Sequence, residues 1–453
     1  MSALLYALGL ITFFVAILVS IGLHELGHMI PAKKFGGKVT QYFVGFGPTV
    51  WSKQVGETEY GVKAIPLGGY VKIVGMLPPG AVEVADEVEV DAAGNQVVKV
   101  RKSNTGMFTQ LISDARAAEW ELVQPEDSER LFYKMAWWKK VVVMAGGPTV
   151  NIAIAFFLFW GVFSTYGQKS FEPDPGPPVL QSVSECVLPF TEESRACTPA
   201  DPPAPAAEAG LRPGDTITTF NGTPVTDWDQ LRTLIRDNES GTAEIGYLRD
   251  DQALTGTTST TVQARPTSVT DETLTQVGFL GVTPTQRIVT ETGGPLYTLG
   301  EMGTMTVDTL QALVTLPAKV FDVGQAIVGL EERAADSPVS IVGGGRLAGE
   351  TTASETFPPA EKFVFLIMLI AGFNLFIGLF NFLPLLPLDG GHIASALWEA
   401  ARRGVARVRG RPDPGYVDAA KLLPVAYVVA SALLVMGVVL IVGDLVVPLR
   451  LES

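Results

Sequence analysis

Four blocks of the chain are almost free of polar residues: roughly 3–30, 141–166, 363–388 and 422–448. As a helix, each is long enough to cross an apolar layer of about 30 Å, which takes ~20 residues. Between the blocks the pattern changes. Residues 41–74 are rich in Gly, Tyr, Val and Ile. Within them, Phe43–Pro48 and Ile65–Val71 read as short strands with glycine turns, predicting β-hairpins that dip toward the membrane. Backbone of that kind is tolerated at such depth only where protein or a wet cavity satisfies it. The stretch 78–106 is charged and poor in aromatics, the composition of a mobile segment. Residues 131–140 combine the aromatics and cations of a membrane interface.

After the second block a Pro-rich linker, 172–178, leads into a strand-like run, Val179–Val183. An irregular insert follows at 184–205, and a compact domain begins at Ala206. That domain has a helical segment at 227–237 and strands near 242–248 and 258–264. Residues 303–330 carry a helical period and moderate amphipathicity, which suits a helix lying along the outer membrane face. In the third block, Pro384 and Pro387 predict that the backbone leaves helical geometry just before Asp389.

Charge orients this pattern. The 453 residues carry a net charge of −14, which argues against a nucleic-acid partner. Between the second and third blocks there are 27 acidic and 12 basic residues. Cations crowd the other ends: Lys33, Lys34 and Lys38; Lys134, Lys139 and Lys140; and five arginines between 402 and 411. By the positive-inside rule those ends are cytoplasmic, and both termini and the 167–362 region are outside. The first block lacks the basic leader and small-residue cleavage site of a signal peptide.

The expectation is a polytopic α-helical membrane protein. A first span with HELGH (1–30) precedes a cytoplasmic loop with membrane-associated β-hairpins (31–140) and a second span (141–166). An extracytoplasmic linker and domain (167–300) and an amphipathic extracytoplasmic segment (301–362) come next. A third span with LDGGH (363–392), a cytoplasmic loop (393–421) and a fourth span with its tail (422–453) complete the chain. The two cysteines, Cys186 and Cys197, fall in the region assigned outside, where an oxidising compartment favours a disulfide over two free thiols.

The chemistry begins at His24-Glu25-Leu26-Gly27-His28, which follows 22 uncharged residues. Residues four apart share a helix face, so His24 and His28 can hold one zinc ion. Glu25, about 100° round the helix, is left to act as a base on water activated by the metal. A catalytic zinc takes three protein ligands and keeps one position open. Asp389 is the best third ligand, because it lies as deep in the third block as HELGH lies in the first, and both blocks run the same way. Ionisable residues embedded in an apolar span mark function. Asn381, eight residues earlier, could hold the substrate backbone or a developing oxyanion. His392 reads as a supporting residue, and Asn151 as a hydrogen-bonding group between helices. Gly45, Gly47 and Gly69 are candidates for substrate contact, with simple turn geometry as the alternative for Gly45 and Gly47.

HELGH, GFGP, IPLGGYVKI, AGGPTVN and NFLPLLPLDGGH, in that order, resemble the site-2 protease family, in its bacterial regulator of sigma-E protease (RseP) branch. AAEAGLRPGD resembles the PDZ domain that such proteins carry outside. The resemblance implies an intramembrane zinc metalloprotease in the cell membrane, with lipid around it and single-span membrane proteins, often anti-sigma factors, as substrates. It places the zinc ligands on His24, His28 and Asp389, the catalytic glutamate on Glu25, and substrate handling on Asn381. It leaves room for one PDZ domain, about 179–284, serving as a peptide-tail binder or as a size gate. Two other readings are a membrane PDZ scaffold with a non-catalytic zinc site and a soluble-type metalloprotease anchored by one helix.

Overall fold

The computed structural model describes residues 2–78, 88–90, 96–98, 107–120, 123–190, 196–266 and 274–449. Most of 78–106, read above as mobile, lies outside those residues. The helices are α1 (Ser2–Lys34), α2 (Met107–Trp120), α3 (Trp137–Thr165), α4 (Pro205–Glu208), α5 (Trp228–Asp237), α6 (Pro295–Ile327), α7 (Ile341–Ala353), α8 (Pro359–Asn381), α9 (Asp389–Val408) and α10 (Leu423–Val446). Among the described residues, four helical segments are long and apolar enough to cross a membrane: α1, α3, α8 and the stretch that contains α10. The chain forms two compact units, residues 1–166 with 293–453, and residues 167–292.

In the first unit α3 packs against α1 and α8. Small residues make this possible. A Cβ on Gly378 of α8 would meet Ile152 Cγ1 at 2.8 Å and Pro148 O at 3.1 Å. The third apolar block is broken as its prolines require. α8 stops at Asn381, an irregular turn follows, and α9 begins at Asp389. Gly390 is needed there, because any side chain would strike the carbonyl oxygens of Phe382 and Leu383. Further along α9, the Glu399 carboxylate meets Lys140 Nζ of α3 at 2.8 Å, and both side chains are buried.

The 301–362 stretch, read from sequence as one amphipathic segment, contains two helices with different surroundings. α6 starts at Pro295 and exposes Leu296, Val314 and Phe321. α7 is packed on the apolar part of α1, with Gly345 against Leu10 and Phe14, and Gly349 against Tyr6. A glycine-rich face gives α7 a smooth surface that aromatic side chains can cover. Asp444, buried near the end of α10, is matched by Arg333 Nη2 at 2.8 Å and accepts a hydrogen bond from the Ser340 amide at 2.7 Å.

β1 (Val39–Val55) and β2 (Thr58–Ile73) are long, but each is bent, so they build a layer four strand-segments wide. Gln41–Val44 is registered with Gly69–Lys72 on one side and with Glu59–Val62 on the other, while Trp51–Val55 pairs with Thr58–Val62. The glycines bend strands rather than close a turn. Gly45, Gly47 and Gly68 adopt φ of +95°, +82° and +94°, conformations that favour a residue without Cβ. The hairpin turn itself lies at Gly56. Gly69–Ile73 and Trp51–Val55 are left as the two outer segments of the layer.

In the second unit, β3 and β4 being the short pair Val88–Val90 and Gln96–Val98 of the first, the strands are β5 (Gln168–Pro173), β6 (Leu180–Val183), β7 (Thr216–Phe220), β8 (Thr223–Pro224), β9 (Thr242–Arg249), β10 (Gln252–Ser259), β11 (Thr261–Pro266), β12 (Leu274–Phe279), β13 (Val282–Pro284) and β14 (Gln286–Glu291). The central sheet has the order β10-β9-β7-β8. Leu231 and Ile235 of the amphipathic α5 pack into a core with Leu180, Ile217, Phe220 and Ile245. Asp227 caps α5, its side chain accepting from the Gln230 amide at 2.9 Å. Cys186 and Cys197 form a disulfide, with Cα atoms 6.0 Å apart.

Asp215 closes the RPGD turn. Its carboxylate accepts from Arg249 Nε and Nη2, both at 2.8 Å, and from the Arg212 amide at 2.7 Å. Burial pushes this carboxyl up, but the bonds from Arg249 and Arg212 outweigh it and hold it below the ordinary carboxylate range. A carboxyl held low in the folded state stabilises the fold above about pH 4, and the contribution disappears as pH falls through the lowered value. The melting temperature of the 167–292 segment should therefore fall on acidification below about pH 4. Asp215→Asn should lose this acid sensitivity while destabilising the segment at neutral pH by about 1–3 kcal/mol, both read by Trp228 fluorescence.

Candidate metal and active site

α1 carries His24 and His28 one helical turn apart, and the break after α8 delivers Asp389 to meet them. Asp389 Oδ2 lies 3.3 Å from Nε2 of each histidine, and the two Nε2 atoms are 3.2 Å apart. The histidines are 9% and 3% exposed, so water contributes little to holding this arrangement. His28 Nδ1 donates to the Val143 carbonyl of α3 at 2.8 Å. A carbonyl can only accept, so the proton of neutral His28 is on Nδ1 and Nε2 presents a lone pair. His28 Nε2, His24 Nε2 and Asp389 Oδ2 thus converge within 3.3 Å of one another, a donor set that a shared cation would hold together. Two imidazoles and one carboxylate suit a catalytic zinc site with a remaining open position. The His28–Val143 bond fixes the imidazole from behind, as such bonds do for metal-binding histidines.

Glu25 stands beside this group, where its carboxylate accepts a hydrogen bond from the Val71 amide of β2. Gly69 allows the strand to come that close, since a Cβ there would lie 3.1 Å from Glu25 Cγ and 3.1 Å from Ile21 Cγ2. Tyr42 of β1 ties the same strand layer to α1 by donating to the Gly22 carbonyl at 2.8 Å. The Glu25 carboxylate is thus held by the outer strand segment.

These residues border a cavity of about 420 Å³, shared by Gly69, Asn151, Asn381 and His392. Gly45 and Gly47 do not line it, and their part is to bend β1. His392 adds a third imidazole to the cavity wall without joining the ligand cluster. Asn151 departs from its reading as a helix-to-helix hydrogen bond. It is 1% exposed, yet its Oδ1 has no hydrogen-bond partner among the described residues.

The glycine pair at the start of AGGPTVN has a role that residue spacing did not reveal. A Cβ on Gly146 would meet the Gly27 carbonyl carbon at 2.7 Å, and one on Gly147 would lie 2.7 Å from His24 Nε2 and closer still to His28 Nε2. Position 147 is therefore a wall of the metal site. Gly147→Ala should remove most of the bound zinc from folded, membrane-inserted protein, as measured by elemental analysis of the purified chain. Gly161→Ala, whose Cβ would meet nothing within 4 Å, should leave it intact.

Residues 12–413 match Peptidase family M50. The zinc metalloprotease Rip1 of Mycobacterium tuberculosis is 34% identical over 461 aligned residues, covering 99% of this chain and all of that protein. Rip1 of Mycolicibacterium smegmatis is 33% identical over the same extent. The regulator of sigma-W protease RasP of Bacillus subtilis is 24% identical across 86% of this chain and 87% of its own. Four membrane-length apolar helices, a buried His-His-Asp cluster with a glutamate beside it, and a family match over most of the sequence agree: this chain is a membrane zinc metalloprotease belonging to Peptidase family M50, the site-2 proteases.

Proposed function

We propose that the enzyme uses His24, His28 and Asp389 as its zinc ligands and Glu25 as its general base, and that it cleaves single-span membrane proteins, anti-sigma factors among them. The observation that carries this reading is the meeting of His24, His28 and Asp389 within 3.2–3.3 Å of one another, next to Glu25, at the end of an apolar helix. The name of RasP links that relative to a sigma factor, which supports the substrate class.

When bound, zinc supplies Lewis-acid polarisation and lowers the pKa of a coordinated water toward 7. Glu25 takes the proton of the attacking water and returns it to the leaving nitrogen. The Val71 amide keeps the carboxylate turned toward the cavity during both transfers. A helical substrate hides its carbonyls, so the cleaved segment must unwind. The outer edge at Gly69–Ile73, apart from the Val71 amide that Glu25 takes, can pair with it as an added strand. Asn381, in the cavity wall on α8, is suited to the substrate backbone or the developing oxyanion.

The cation-rich ends support a site near the cytoplasmic side, with both termini and the 167–292 region outside. That unit is read as a PDZ domain, supported by its small β-sheet, the α5 helix and the AAEAGLRPGD turn. The disulfide-closed insert lies within it, and a size gate for bulky ectodomains is the reading we adopt.

Glu25→Gln should retain zinc and lose cleavage of a membrane-embedded reporter by at least about a hundredfold, the scale of general-base catalysis. Asp389→Ala should lose much of the zinc as well. Turnover by Glu25→Gln protein at the wild-type rate would overturn the assignment of the base.

A further inference from the structure

An unwound stretch of substrate presents main-chain N–H and C=O groups along both of its edges. In a bilayer each of these groups needs a partner, because leaving one bare costs as much as a lost hydrogen bond or more. On the proposal above, Gly69–Ile73 serves one edge. Pairing with a strand does nothing for the other, and the cavity must supply something there.

Asn151 meets the requirement. It belongs to α3, a different element from β2, and it borders the same cavity as Glu25 and Asp389. The side chain is 1% exposed, and its Oδ1 has no hydrogen-bond partner among the described residues. Buried side-chain amides are ordinarily satisfied, so an unmet acceptor in the wall of a reaction cavity marks a place that a ligand completes. α8 passes close by. A Cβ on Gly378 would meet Pro148 O and Ile152 on either side of Asn151 in sequence, and Asn381 lies one turn further along α8. Two amide side chains from two helices thus share the cavity wall, each with a donor and an acceptor, the complement of a peptide edge.

From this we infer that Asn151 is a substrate-positioning residue that hydrogen-bonds the main chain of the unwound segment on the edge away from β2, working alongside Asn381. The inference rests on the strand-addition reading, and the test separates the two.

Synthetic single-span peptides that the full-length enzyme cleaves in proteoliposomes would be made with one amide at a time replaced by an ester, which deletes a single main-chain donor. They would be assayed with wild type and with Asn151→Leu, a near-isosteric change without an amide. Wild type should show two sets of sensitive positions, each losing about tenfold or more in kcat/KM. In Asn151→Leu the ordinary peptide should be cleaved about tenfold or more slowly, with zinc content and melting temperature unchanged. One ester-sensitive set should then disappear while the other persists. Full persistence of both sets, or wild-type kcat/KM in the variant, overturns the role of Asn151 and leaves strand addition standing. An absence of any ester-sensitive position in wild type overturns strand addition itself, and this inference with it. Should Asn151→Leu lose zinc, Asn151→Ala is read in its place. Loss of zinc by both variants overturns the inference in favour of a structural role.

Discussion

How closely α3 can approach α1 decides whether there is a site at all. Backbone meets backbone at Gly27 and Gly146, and Gly147 borders the ligating nitrogens. Only at that separation can the Val143 carbonyl accept the hydrogen bond from His28 Nδ1 that leaves Nε2 with a lone pair facing the cluster. A single methyl group at the contact would push the helices apart and fill the space where the metal belongs. Association of helices within a bilayer gains little from apolar burial, since lipid is equally apolar, so close packing of small residues has to hold the pair.

The same scarcity of water governs the second half of the site. An aspartate in this setting needs compensation, and the broken third block provides it. Asn381 ends one helix, Asp389 opens the next, and the turn between them is covered by Gly390 packed on its carbonyls. The bent strands of β1 and β2 apply the same rule to backbone. Their unpaired groups would be costly in lipid, and the doubled layer pairs Gln41–Val44 on both sides. Of the two outer segments, Trp51–Val55 and Gly69–Ile73, it is the second that reaches Glu25 through Val71.

Much of this was legible in the sequence. Four apolar runs fixed the membrane helices, the i,i+4 histidines fixed a helix face, and two prolines three apart announced the break before Asp389. Matching depth in two parallel-running blocks paired HELGH with Asp389 across 361 positions of sequence. Less visible were properties that depend on the distance between elements. Gly146 and Gly147 were visible only as part of AGGPTVN, since spacing along one helix says nothing about which atoms of another helix lie opposite. Asn151 looked like a bond between helices for the same reason. The glycines at 45 and 47 looked like turns because a positive φ bends a strand and closes a hairpin with the same residue type. The pairing of Val71 with Glu25 could not be foreseen from residue identities, because it is made by a backbone amide.

The ion pair between Lys140 and Glu399 adds a constraint of a different kind. It grips α9 ten residues beyond Asp389, in a buried position that neither partner leaves cheaply. The stretch from 389 to 399 is therefore a spacer of fixed length with an anchor at each end, one at the metal site and one at the start of α3. Removing one residue from it would turn the carboxylate about 100° relative to the anchor. The number of residues in this segment is thus under a constraint separate from the identity of its side chains.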